Sequence, residues 1–158
     1  MISSLVEETF QNPEKLIHHN FIARKLMGSD AYLDYMAVMS SIDIIRKTRG
    51  GDWPTPNLSF EDDFIDLCWH QREFENKSSF AFTVFKPDET ECLGCFYLYQ
   101  PGFRAECPAN SDVDISFWVT QTAYNKGLYQ ELYFAIKKWL DAEWPFKHPY
   151  WTNTEIPE

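Results

Sequence analysis

Two apolar runs, Phe80 to Lys86 and Cys92 to Tyr99, are separated by the turn-forming Pro87-Asp88-Glu89-Thr90 and one further residue, Glu91. They constrain this chain more than any other feature. Phe80, Phe82 and Val84 fall on one side of the first run, and Ala81, Thr83 and Phe85 on the other. A hairpin that is apolar on both faces must be covered on both, so the sequence predicts a central sheet sandwiched between helices. A third strand follows from Val113 to Thr120. Val113, Ile115, Phe117 and Val119 share one face, and Asp114, Ser116, Trp118 and Thr120 form a more polar strip on the other.

The covering helices can be read from spacing. Leu33, Met36, Ala37, Ser40 and Ile44 keep a near-helical interval after the turn signal Gly28-Ser29-Asp30, and Gly50-Gly51 end that pattern. Ser59 with Asp62 opens a second helix carrying Phe60, Phe64, Leu67, Cys68 and Phe74 to about Asn76. Leu128, Leu132, Ala135, Ile136, Trp139 and Leu140 mark a third, amphipathic helix that Trp144-Pro145 terminates. Phe21 to Leu26 is a candidate first strand, and His148 to Glu158 has room for one short strand. The expected class is a mixed α/β domain over residues 1–158, with a mainly antiparallel sheet of about five strands flanked by three helices.

Composition narrows the function. With 14 Lys and Arg against 24 Asp and Glu, the formal net charge is −10, and no basic run of useful length offers a footprint for nucleic acid. No stretch approaches the roughly 18 apolar residues of a membrane span, and Met1 to Phe10 lacks a leader pattern, so a cytoplasmic location is expected. Cys92 and Cys95 form a CxxC motif. Residues three apart on a strand face opposite ways, so the two sulfurs are expected to diverge. His18-His19 and the His70/Glu73 pair lack further ligands, and no metal site is predicted.

The segment Asp114 to Tyr129, DISFWVTQTAYNKGLY, runs a strand with a polar strip into a Lys126-Gly127 loop and then a helix start, where backbone N–H groups favour an anion. The same junction also reads as an ordinary turn with a conformationally free glycine. With the order of elements, and with Leu93-Gly94-Cys95, Phe117-Trp118-Val119 and Trp144-Pro145-Phe146, this segment resembles the GNAT superfamily of acyl-CoA-dependent N-acetyltransferases over about residues 21–153. The resemblance implies an enzyme that transfers an acetyl group from acetyl-CoA to a small amine-bearing acceptor. It places Asp114 at an acidic position used as general base, and Tyr124 as a candidate proton donor to the departing thiolate. Tyr124, Asn125, Lys126, Gly127, Leu128 and Tyr129 fall on the pyrophosphate loop, Phe117 and Val119 beside the thioester, and Asn153 on a CoA-contacting Asn.

Two departures from the family pattern stand out. Tyr124 replaces Arg or Gln, and Tyr129 stands where Gly or Ala lets the pyrophosphate approach, so its ring either blocks the site or points along the helix. The family normally continues with another helix and two strands, which implies a domain shortened at its C-terminus. These departures motivate an alternative, a non-catalytic GNAT-like binding module with a degenerate cofactor cleft, and a homodimer that completes the sheet. An acidic chain repels CoA at long range, so Lys126, Lys137 and Lys138 are the expected local compensation. The same acidity suits a cationic acceptor.

Overall fold

A computed structural model describes residues 3–158. Its sheet has six strands in sequential order: β1 (Lys15–Ile17), β2 (Ile22–Lys25), β3 (Phe80–Phe85), β4 (Cys92–Tyr99), β5 (Val113–Val119) and β6 (Pro149–Trp151). All neighbours are antiparallel except β5 and β6, which run parallel. The extra strand beyond the expected five is β1, whose three residues turn only Leu16 inward, too short for alternation to show.

Five helices surround the sheet: α1 (Ala31–Met39), α2 (Ile42–Arg49), α3 (Phe60–Glu75), α4 (Gln121–Asn125) and α5 (Leu128–Glu143). The first predicted helix is two. Ser41 leaves helical geometry at φ −138°, and its hydroxyl accepts the N–H of Gln121 at 3.0 Å, which ties the break to the β5–α4 junction. Helix α3 starts as predicted, with Ser59 Oγ accepting from Asp62 N at 3.1 Å. Part of the predicted anion loop is the one-turn helix α4, capped by Thr120.

The sheet separates two apolar layers. Phe82, Phe96, Ile115 and Phe117 face α5 through Tyr129, Leu132, Ile136 and Trp139. Phe82 stacks on Phe96 at 4.7 Å and meets Trp139 edge-on at 5.3 Å. On the other face Ala81, Phe85, Cys95, Tyr97 and Trp118 meet Val38, Ile45 and Leu67 of α1, α2 and α3. Each such fully buried side chain contributes about 2 kcal/mol of transfer energy. Trp118, on the predicted polar strip, is fully buried and donates Nε1–H to Tyr97 Oη at 2.9 Å. The polar strip of β5 is therefore an interior feature under α1–α3.

The CxxC motif departs from expectation. Cys92 pairs with Phe85 and Gly94 with Val84, so Leu93 is an extra residue in β4, a β-bulge. Both sulfurs consequently turn to the α1 face, where their layer includes Asp34 of α1. Gly94 is obligatory at this bulge, because a Cβ there would lie 2.1 Å from the carbonyl oxygen of Trp118. No helix among the described residues is long and apolar enough to cross a membrane.

Candidate functional site: a strand fork and the cavity behind it

Strands β5 and β6 pair for three residues, Val113–Ile115 against Pro149–Trp151, and then separate. Thr152 N still donates to Ile115 O at 2.9 Å. At the next step a side chain takes over from backbone. Phe117 N donates to Asn153 Oδ1, and Asn153 Nδ2 donates to Phe117 O, both at 2.9 Å. The carboxamide thus satisfies both edge groups of β5 as a neighbouring strand would. The register with β4 turns the N–H and C=O of Val119 to the same side, toward the fork.

Tyr129 closes the throat of the fork. Its ring stacks on Phe117 at 4.6 Å, and its hydroxyl accepts from Asn153 Nδ2 at 2.8 Å while donating to Glu155 O at 2.5 Å. The ring takes neither of the two expected orientations but packs into the core, and burial first of all raises its phenol well above the ordinary range. Tyr124 stands nearer the mouth, 5.4 Å from Tyr129 between ring centroids, and donates to Glu155 Oε2 at 2.7 Å. That carboxylate raises the Tyr124 phenol too. Lys47 of α2 lies 3.8 Å from the other Glu155 oxygen, and Glu155 N donates to Thr48 O. Segment 153–155 therefore fills the fork.

The remaining loop residues spread out. Gly127 adopts φ 86° as the N-cap of α5, with open space where a side chain would be. Lys126 is exposed, Asn125 accepts from Gln121 Nε2 at 2.9 Å, and Leu128 belongs to the α5 core. Lys137 and Lys138 lie far along α5. The cation beside the fork is instead Lys47, in the basic last turn of α2.

Asp114 and Tyr124 are not brought together. Asp114 sits at the start of β5 and Tyr124 beyond its end, about 20 Å apart along the strand. Asp114 is buried. Its Oδ1 accepts from Thr152 Oγ1 at 2.6 Å, and its Oδ2 has no hydrogen-bond partner among the described residues. Burial raises its carboxyl, against the pull of the Thr152 hydroxyl and the backbone N–H groups of Arg104 and Ala105.

Behind the fork, on the α1–α3 face, lies a polar cavity of about 240 Å³ that sequence reasoning missed, lined by Asp34, Arg49, Asp63, Asp66, His70 and Tyr97 among others. Arg49 sits 4.5 Å over the Tyr97 ring and directs Nε and Nη2 to Ser116 Oγ at 3.4 and 3.3 Å, so it reaches β5 itself. Burial, then the hydrogen bond to Asp63, holds the Asp34 carboxyl well above the usual carboxylate range. Burial likewise raises Asp63, and Asp66 with it. His70 Nδ1 is buried without a partner among the described residues, and burial, then Arg49, pushes the imidazole down to about 4. A second groove of about 470 Å³ shares Arg49, Trp53 and Tyr99 with this cavity and runs to Thr152 and Thr154. Arg104 straps the groove, donating to Thr152 O at 2.9 Å, Gly50 O at 3.0 Å and Arg49 O.

No protein-family model and no curated protein matches the chain. Solved structures do match. A ribosomal-protein-S5-alanine acetyltransferase from Vibrio fischeri superposes with a TM-score of 0.60 at 14% identity, over 81% of this chain and 68% of that one. A GNAT-family acetyltransferase from Bacillus anthracis gives a TM-score of 0.54 at 15% identity, over 80% and 65%. The microcin C7 self-immunity acetyltransferase MccE, in complex with acetyl-CoA and AMP, gives 0.57 at 15%, over 79% and 65%. A mainly antiparallel sheet whose last parallel pair forks beside a helix start is thus the GNAT acetyltransferase fold. The chain spans about two thirds of the length of the structures it matches, 65 to 68% for the first three.

Proposed function

We propose that the protein is an acyl-CoA-dependent N-acyltransferase that uses acetyl-CoA. The observation that carries this reading is the fork: β5 offers the Phe117 N–H and C=O to a carboxamide rather than to a strand. The amides of an extended pantetheine arm have the same donor and acceptor pattern, and can take the place of Asn153 along β5. The start of α5 at Gly127, with Lys126 and Lys47 nearby, then suits the pyrophosphate. The fold shared with MccE, which binds acetyl-CoA, supports the same donor here.

The chemistry requires an amine nucleophile, a polarised thioester carbonyl and a proton for the leaving thiolate. The N–H of Val119 serves the carbonyl. Asp114, buried and about 17 Å along β5 from Val119, lies too far from that carbonyl to take the amine proton directly or through one water. The tyrosine pair at the fork, Tyr124 and Tyr129, supplies the thiolate's proton. The acceptor, a small amine or the amino group of a protein, enters by the groove that ends at Thr152.

Calorimetric titration with acetyl-CoA, followed by transfer assays on a panel of amines, tests the proposal. The expected result is one binding site for acetyl-CoA and turnover with at least one amine acceptor. A folded protein that neither binds acetyl-CoA nor transfers to any acceptor would overturn it, in favour of a binding module with a filled cleft.

A further inference from the structure

The bulge at Leu93 has a chemical consequence independent of acyl transfer. It brings Cys92 Sγ, Cys95 Sγ and a carboxylate oxygen of Asp34 within 4.8 Å of one another, all three residues buried. Cys95 Sγ lies 3.5 Å from Asp34 Oδ1, and Cys92 Sγ lies 3.5 Å from Gly94 O. We propose that Cys92, Cys95 and Asp34 form a binding site for one zinc-like divalent cation.

The donor set and the spacing both fit. Two thiolates and a carboxylate suit a borderline-soft d¹⁰ ion far better than calcium or magnesium, which require more oxygens. Metal–sulfur bonds of about 2.3 Å and metal–oxygen bonds of about 2.1 Å put tetrahedral ligand atoms roughly 3.5–3.8 Å apart. Closing from 4.8 Å or less takes side-chain adjustment of about 1 Å, with no movement of β4.

A second layer is already built. Asp63 hydrogen-bonds to Asp34, is 1% exposed, and keeps its Oδ2 without a partner. As a protonated acid, Asp63 donates to the ligating Asp34 carboxylate and fixes its orientation, as second-shell groups at metal sites do. Asp34 and Asp63 also line the 240 Å³ cavity, so the carboxylate end of the site opens to it. On loading, both thiol protons leave to the buffer and the proton that Asp34 shares with Asp63 stays on Asp63, so Asp34 ligates as a carboxylate.

The test is anaerobic titration of the reduced, chelator-treated protein with Co²⁺. One equivalent should produce thiolate-to-cobalt charge-transfer absorption together with the visible bands of a four-coordinate ion, and Zn²⁺ should abolish both. The exposed Cys68 and the half-buried Cys107 are the other free thiols, so the double variant C68S/C107S should keep the spectrum. Asp34→Asn should weaken cobalt binding at least about 10-fold. A folded wild-type protein with no charge-transfer band up to about 1 mM Co²⁺, an affinity too weak for a resident ion, would overturn the site. A band that disappears in C68S/C107S would overturn it equally, by assigning the ion to the other thiols.

Discussion

His70 carries an imidazole into the cavity between α3 and β4, within 5.5 Å of the Tyr97 ring, and its folded-state value of about 4 lies below the ordinary 6.5. A histidine depressed in this way costs nothing above pH 6.5, where both folded and unfolded chains leave it neutral. As pH falls from 6.5 toward 4 the unfolded chain binds a proton that the folded chain refuses, so stability drops, by up to about 3 kcal/mol. His70→Gln should flatten that part of the stability–pH curve. Urea midpoints for wild type and variant between pH 7 and pH 4 measure it, and parallel curves would refute the assignment. Asn153 makes a separate case. Asn153→Leu keeps the volume but strands the buried N–H and C=O of Phe117, so a loss of about 3 kcal/mol is expected at any pH.

Among the elements, β4 is the least tolerant of change, since a Cβ at Gly94 would collide with backbone rather than with a movable side chain. Gly94→Ala should therefore destabilise by at least about 2 kcal/mol, while Gly51→Ala, at φ 87° but in open space, tests positive φ alone. Thermal unfolding of the pair separates collision from conformational cost. The same strand shows what a sequence reveals and what it conceals. Alternation in Phe80–Phe85 and Cys92–Tyr99 announces a hairpin buried on both faces, because every residue repeats the signal. The bulge is one residue without periodicity, so it reverses the predicted divergence of Cys92 and Cys95 unseen. The helix break at Ser40-Ser41 escapes for a similar reason: Ser41 is claimed by Gln121, 80 residues away. Asp114, Tyr129 and Asn153 can be singled out from the sequence because they lie on strand and loop patterns with a recognisable order; the roles of Tyr129 and Asn153 are proposed. Asp34, Arg49, Asp63 and His70 were not, because each sits on an ordinary helix and only the tertiary fold gathers them round one cavity.

At the scale of the whole molecule, a formal charge of −10 opposes the approach of an anionic donor from every direction, whereas Lys47 beside the fork and Lys126 before the start of α5 offer local attraction. The two influences act over different distances. Repulsion from the net charge extends beyond the surface and is screened once the Debye length shrinks to about 8 Å at physiological salt. Contacts of lysines with phosphates act at a few ångströms and govern dissociation more than encounter. The association rate of acetyl-CoA should therefore rise with ionic strength between about 10 mM and 150 mM, the reverse of an electrostatically steered pair. Glu155 sharpens the argument, because its carboxylate already occupies Lys47 and Tyr124 at the mouth of the fork. Glu155→Gln removes that internal anion, so it should raise affinity about 3- to 10-fold and lessen the salt dependence of association. Stopped-flow binding at three salt concentrations with both proteins decides the matter: an association rate that falls with salt would place a steering field at the fork, and an unchanged affinity in E155Q would mean that the segment 153–155 does not compete with the donor.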